Sequence, residues 1–88
     1  MEDHSPELKE AITEIVSNQL RLKDPPETRQ TLDRLVAEGY STDDAMELIG
    51  VVVTTHIYEM LKKQQPFDLT LFIQDLEKLP AMPWAEDE

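Results

Sequence analysis

The sequence predicts an all-α protein: a compact four-helix bundle-like domain with a long central third helix and a short irregular C-terminal tail. Prolines and glycines divide the chain into four segments, and within each segment apolar residues recur at helical spacing. Only residues 49–57 have the β-branched composition of a strand, and no second strand is available to pair with them. We therefore expect one helical domain over residues 1–80 and an acidic tail containing proline and tryptophan over residues 81–88.

The first helix is predicted over Pro6–Leu22, with Ser5 as its N-cap. Proline is tolerated at the first helical position because the amide that it lacks would have no partner within the helix. The apolar and acidic positions fall on separate sides, which is typical of an amphipathic helix with one buried face. The apolar side comprises Leu8, Ala11, Ile12, Ile15 and Val16, and the acidic side comprises Asp3, Glu7, Glu10 and Glu14.

The second helix follows Asp24, which we expect to be its N-cap, and has two prolines in its first turn. Gly39 is expected to adopt the left-handed conformation that ends the helix, with Tyr40 packing back on Leu35 in a Schellman motif. Arg34 is expected to face solvent, where ion pairs are weak. The small apolar set consists of Leu32, Leu35 and Val36.

The third helix is the longest and is predicted over Thr42–Lys63, with Ser41 as its N-cap. Its apolar positions cover more than half of the circumference, as in a helix that packs against several neighbours. Val51 and Tyr58 nevertheless fall on the side that should face solvent. The alternative for residues 49–57 is a strand, which the strongly helical flanking sequence disfavours.

The fourth helix is predicted over Leu69–Lys78, with Asp68 as its N-cap and Pro80 ending it. Phe67 precedes the cap and Phe72 lies four positions inside the helix, the spacing of a hydrophobic staple. The expected buried stripe consists of Leu69, Phe72, Ile73 and Leu76.

The composition excludes several classes of function. Nineteen Asp and Glu against eight Lys and Arg give a formal charge of −11, which argues against binding to nucleic acid or to anionic lipid. The absence of Cys and the presence of only two Gly exclude thiolate chemistry and phosphate-binding loops. The longest apolar run, Leu48–Val53, is too short to span a membrane, and the acidic N-terminus is unlike a secretory signal. We expect a cytoplasmic protein without a cofactor.

His56 is the main candidate for metal or small-ligand chemistry. It lies on the apolar face of the third helix, with Glu59 three residues later, so a metal- or small-ligand-binding site centred on these two residues is one hypothesis. Helical di-metal sites require several inward carboxylates and paired Glu-x-x-His motifs, which this sequence lacks. The favoured interpretation is a core histidine that is hydrogen-bonded to a neighbour.

Interaction with proteins is the function that these features favour. No arrangement of serine, histidine and acid indicates nucleophilic catalysis, so we predict a non-catalytic protein–protein interaction or accessory module and not an enzyme. A homodimer would cover Val51 and Tyr58 and stabilise a domain of this size, unless the first or fourth helix already covers them. A further alternative is an acidic inhibitor of a nucleic-acid-binding protein. The expected partner surface consists of Tyr40, Val51, Tyr58 and Trp84.

A set of short motifs and single positions lies between Lys23 and Pro80: Pro25-Pro26-Glu27-Thr28, Arg34-Leu35, Gly39-Tyr40, Ala45, Ile49, Ile57-Tyr58, Leu61, Pro66-Phe67-Asp68 and Leu79-Pro80. In these residues the stretch resembles a group of small uncharacterised bacterial helical proteins, a domain of unknown function. Most of the shared positions are caps, turns and core residues, so the resemblance implies a fold and no activity, cofactor or catalytic residue. A shorter stretch, Leu35–Ala45, is similar to the start of a ubiquitin-associated domain, but the third helix continues where that family turns.

Overall fold

The chain folds into four α-helices that correspond to the four predicted segments. The structure is a computed structural model and describes residues 6–82. The helices are α1 (Pro6–Leu22), α2 (Pro26–Ala37), α3 (Thr42–Lys63) and α4 (Leu69–Lys78). Residues 6–82 contain no β-strand, so the all-α prediction is confirmed and the alternative strand is wrong. The predicted cap Ser5 and residues 83–88 of the predicted tail lie outside the described residues.

Two of the predicted N-caps are confirmed. The Ser41 hydroxyl accepts a hydrogen bond from the Asp44 backbone N–H at 3.0 Å, and the Asp68 carboxylate accepts one from the Leu71 N–H at 3.2 Å. Each bond satisfies an amide that has no partner within the helix. The starts of α3 and α4 are therefore fixed by local sequence.

Helix α2 starts later than predicted and ends as predicted. Its N-cap is Pro25, so the prediction that Asp24 caps it is wrong. The reason is that the Asp24 N–H donates to a carbonyl of α1 at 3.1 Å and belongs to the turn that ends α1. At the other end, Gly39 has a φ of 111°, and the Tyr40 N–H donates to the Leu35 carbonyl at 3.1 Å. This is the Schellman arrangement predicted for the turn.

Helices α2 and α3 form the centre of the fold. Both α1 and α4 pack against this pair, whereas α1 and α4 do not pack against each other in the described part of the chain. One continuous core contains residues from all four helices, and four of its ten buried members come from α3. The buried apolar residues are Val16, Leu32, Leu35, Ala45, Ile49, Val52, Val53, Phe72, Leu76 and Leu79.

Helices α1 and α3 lie close together at Gly50. A Cβ atom added to Gly50 would lie 3.1 Å from Cγ2 of Ile12, so the absence of a side chain allows the two helices to touch. One turn earlier on both helices, Lys9 and Glu47 form an ion pair of 3.5 Å. Both contacts join α1 to the N-terminal half of α3. No helix in residues 6–82 is both long and apolar enough to cross a membrane.

The predicted apolar faces are partly wrong at their edges. Leu8 is 58% exposed, Val36 is 42% exposed and Leu69 is 46% exposed. In α2, two threonines take part in the buried face instead, Thr28 at 0% and Thr31 at 4% exposure. Threonine can be buried at little cost when its hydroxyl is hydrogen-bonded, and the Thr28 hydroxyl donates to the Gln19 side chain of α1 at 2.8 Å.

Arg34 is only partly exposed, and it forms a bond between helices besides the predicted surface ion pair. One of its guanidinium nitrogens, Nη2, donates to the carbonyl of Leu76 in α4 at 3.1 Å, while Nη1 donates to the Glu38 carboxylate at 3.1 Å. The guanidinium can form both bonds because its donors point in fixed, separate directions. Arg34 therefore links α2 to the C-terminal half of α4.

Candidate functional site

A groove lies between the C-terminal half of α3 and the N-terminal half of α4, and the loop between these helices closes one side of it. Its volume is about 910 Å³, within the range of about 300–1,000 Å³ that is typical of ligand sites. We call it the α3–α4 groove. It is lined by Thr55, His56, Glu59, Met60, Lys63, Gln65–Leu71 and Asp75.

A histidine–carboxylate pair that is largely withdrawn from water lies in the groove. Nε2 of His56 lies 2.6 Å from Oδ2 of Asp75, and the two side chains are 11% and 20% exposed. Since an ionised carboxylate can only accept, we assign Nε2 as the donor. The bond joins α3 to α4 and satisfies the polar edge of an imidazole that is largely withdrawn from water.

Two phenylalanines pack around the same imidazole. The centroid of the His56 ring lies 6.0 Å from that of Phe67 and 5.6 Å from that of Phe72, and the two phenyl centroids are 5.3 Å apart. These tilted and edge-to-face arrangements are favourable for aromatic pairs. Phe67 and Phe72 flank the Asp68 cap, so the predicted hydrophobic staple of α4 is confirmed. The staple therefore also holds His56 in place.

Large apolar side chains are exposed along the rim of the groove. Phe67 is 36% exposed, Leu69 is 46% exposed and Leu71 is 50% exposed. All three lie within five residues of the chain, in the loop and the first turn of α4. That turn contains no acidic residue, although acidic side chains are the ones that stabilise a helix N-terminus. Leu71 is not part of the buried core, so the packing of the four helices does not account for its apolar side chain.

The charges that line the groove are predominantly negative. The carboxylates belong to Glu59, Asp68 and Asp75, and the one ammonium belongs to Lys63. Lys63 pairs with Glu59 at 3.1 Å, which leaves Asp68 and Asp75 without a lysine or arginine partner among the groove-lining residues. With His56 neutral, the groove lining carries a formal charge of −2.

The structure assigns a different partner to His56 from the one considered in the metal hypothesis. His56 bonds to Asp75 on α4, whereas Glu59 bonds to Lys63. Residues 6–82 contain no group of three histidine, aspartate or glutamate side chains that could hold a metal ion. Sequence reasoning missed Asp75 because it lies 19 residues away on another helix, where helical periodicity gives no information about pairing.

The residues predicted to form a partner surface do not lie together. Val51 and Tyr58 are two turns apart on α3, with Tyr58 60% exposed and the Lys62 ammonium 5.8 Å from its ring centroid. Tyr40 precedes α3 and is partly buried against the core, with about 24 Å of helix between the start of α3 and Tyr58. Trp84 lies outside the described residues. Neither Val51 nor Tyr58 lines the α3–α4 groove.

The resemblance noted over residues 23–80 can be compared with the structure and with known proteins. Several positions that carry this resemblance are structural, since Gly39 and Tyr40 form the turn that ends α2 and Asp68 caps α4. Such positions specify helix ends in many unrelated helical proteins. No family model matches the chain, and no curated protein and no solved structure matches it, so the resemblance stays a prediction.

Proposed function

We propose that this protein is a non-catalytic protein–protein interaction or accessory module and that the α3–α4 groove is its contact surface. The observation that carries the proposal is that three large apolar side chains that line the groove, Phe67, Leu69 and Leu71, are 36–50% exposed. Apolar side chains clustered beside a groove are typical of protein interaction sites.

The energetics of the rim support this choice. Exposed apolar surface gains about 25 cal/mol for each Å² that a partner covers, and leucine and phenylalanine are among the side chains that gain most. Leu71 makes no contribution to the buried core, so its apolar surface remains available for a partner. A groove with such a rim favours a partner that inserts apolar side chains of its own.

Two polar side chains that line the groove, those of His56 and Thr55, already have hydrogen-bond partners within the protein, which favours binding over catalysis. The imidazole N–H of His56 donates to the Asp75 carboxylate at 2.6 Å. The Thr55 hydroxyl donates to the Val51 carbonyl of its own helix at 2.9 Å. A hydroxyl that is held in this way is poorly placed as a nucleophile.

The test is affinity capture from a lysate of the source cells with matched surface variants. Leu71→Ser removes an apolar side chain from the rim, whereas Leu22→Ser removes one that is 63% exposed at the end of α1, outside the groove. Tyr58→Ser tests the competing surface predicted on α3. Because all three residues are at least half exposed, the variants are expected to remain folded, which circular dichroism checks.

The expected result is a set of proteins retained by the wild type, Leu22→Ser and Tyr58→Ser but lost with Leu71→Ser, as identified by quantitative mass spectrometry. Loss with Tyr58→Ser alone would instead place the contact surface on the outer face of α3. Retention by all three variants would contradict the proposal that the groove is the contact surface.

A further inference from the structure

We infer that the occupant of the α3–α4 groove is a short amphipathic segment of a partner protein that carries Lys or Arg beside its apolar side chains. The inference rests on the proposed function and specifies the chemistry of the partner. It follows from the way in which acidic and apolar groups alternate around this groove.

The lining of the groove carries negative charges that have no cationic partner there. Asp68 and Asp75 have no lysine or arginine partner among the residues that line the groove, while Lys63 is engaged by Glu59 at 3.1 Å. Charges of one sign that line a cleft attract ligands of the opposite sign and repel those of the same sign. An acidic segment would therefore meet uncompensated carboxylates, whereas a cationic segment would find acceptors.

The residue next to two of the exposed apolar residues is an aspartate. Asp68 lies between Phe67 and Leu69 in the chain, and all three residues line the groove. Asp68 uses Oδ1 to cap the helix and keeps its negative charge. A Lys or Arg side chain can place its methylene groups on Leu69 and its cationic end between the carboxylate and the phenyl ring.

Asp75 supplies a second, less exposed carboxylate in the groove. Asp75 accepts one hydrogen bond, from His56 to Oδ2, and residues 6–82 show no other hydrogen bond or ion pair to its carboxylate. Asp75 and Leu71 are four residues apart on α4 and therefore lie on the same face of that helix. A cationic group that enters beside Leu71 can donate to the remaining oxygen, Oδ1, and would form a charge-assisted hydrogen bond with it.

The same charges disfavour a second copy of this chain as the occupant. Two chains that each carry −11 repel one another, and two identical grooves would bring carboxylates against carboxylates. The inference therefore commits to a different protein, and self-association through the groove is one of the outcomes that the test detects.

The test is a selection of binding segments from a random library of 14-residue peptides displayed on phage. The library is first depleted on immobilised Leu71→Ser, which has the same net charge as the wild type, so that peptides attracted only by the overall charge are removed. The remaining peptides are selected on the wild-type protein. We expect enriched sequences that combine Lys or Arg with Leu, Ile or Phe at helical spacing.

The best peptide is then titrated against variants by fluorescence anisotropy at 150 mM NaCl. Leu71→Ser is expected to weaken binding about tenfold or more, and Leu22→Ser less than about twofold, because only the first removes contact area. Asp68→Asn retains the N-cap and is expected to weaken binding about threefold to tenfold. Asp33→Asn, which makes the same change of charge at an exposed position of α2, is expected to have less than about a twofold effect.

Each other outcome overturns the inference. Enriched peptides that are sensitive to Leu71→Ser but acidic or uncharged would overturn it while leaving the groove as the contact surface of the proposed function. Equal effects of Asp68→Asn and Asp33→Asn would show that binding depends on the overall charge of the protein and not on the carboxylate in the groove. Failure to enrich any peptide, or a dimer in light scattering that Leu71→Ser dissociates, would exclude a cationic partner segment from the groove.

Discussion

At the scale of single residues, the bond between His56 and Asp75 is the contact that most directly shapes the groove. Each group supplies what the other needs, since the imidazole N–H would otherwise lack an acceptor and the carboxylate would lack a donor. The phenyl rings of Phe67 and Phe72 surround the imidazole. The position of α4 against α3 therefore depends on a polar contact inside an otherwise apolar environment.

We predict that Asp75→Leu and His56→Phe each lower the free energy of unfolding by about 1–2 kcal/mol, because each leaves a partly buried polar group unpaired. The double variant is expected to lose less than the sum, since it removes both polar groups and adds a third phenyl ring. Urea unfolding followed by circular dichroism measures all three values. Glu59→Leu is the control, with a change within about 0.5 kcal/mol because its partner Lys63 is exposed. Additive losses in the double variant would contradict this account.

At the scale of helices, the contact between α1 and α3 balances two opposing effects at Gly50. Glycine in the interior of a helix costs about 1 kcal/mol relative to alanine. A Cβ atom at this position would meet Ile12 Cγ2 at 3.1 Å, and a β-branched side chain in a helix has little freedom to turn away. The close packing of α1 on α3 therefore offsets the unfavourable helix propensity of Gly50.

We predict that Gly50→Ala changes the free energy of unfolding by less than about 0.5 kcal/mol in the wild type, because the gain in helix propensity is cancelled by the close contact. In an Ile12→Ala background the contact is absent, and the same substitution is expected to stabilise the protein by about 1 kcal/mol. Urea denaturation of the four proteins of this cycle provides the measurement. Equal effects of Gly50→Ala in both backgrounds would show that the helices do not press on each other at this point.

The sequence predicted those features of the helices that depend on near neighbours. Helix ends are of this kind, since Ser41 and Asp68 cap amides three residues away and Gly39 ends α2 through a φ of 111°. Contacts between helices were missed. Arg34 reaches Leu76 across 42 residues, and Asp75 reaches His56 across 19. Such pairs depend on how helices are placed against one another, which periodicity along one helix does not specify.

At the scale of the whole molecule, negative charge dominates, with a formal charge of −11. Acidic side chains lie in the first turns of both α1 and α3. Glu10 on α1 and Asp43 and Asp44 on α3 are all exposed, and Lys9 and Glu47 form an ion pair between these two helices. Repulsion among these carboxylates opposes the folded state, and dissolved salt screens it.

We predict that the melting temperature rises by about 5 °C between 20 mM and 500 mM NaCl, which corresponds to about 1 kcal/mol for a domain of this size. The variant with Glu10→Gln and Glu14→Gln is expected to melt at a higher temperature than the wild type at 20 mM NaCl and to gain less from added salt. Differential scanning calorimetry measures both proteins. A melting temperature that falls with salt would indicate that the exposed ion pairs outweigh the repulsion.

The separation of α1 from α4 has a consequence for how the protein can respond to a bound segment. Each outer helix attaches to the central pair through its own set of contacts, so one can loosen while the other stays in place. A ligand on α4 would then slow amide exchange with deuterium in α4 and the adjoining turn of α3, and leave the exchange of α1 amides unchanged. The exchange pattern would then distinguish a ligand bound at α4 from one that stabilises the whole fold, which would slow exchange in all four helices.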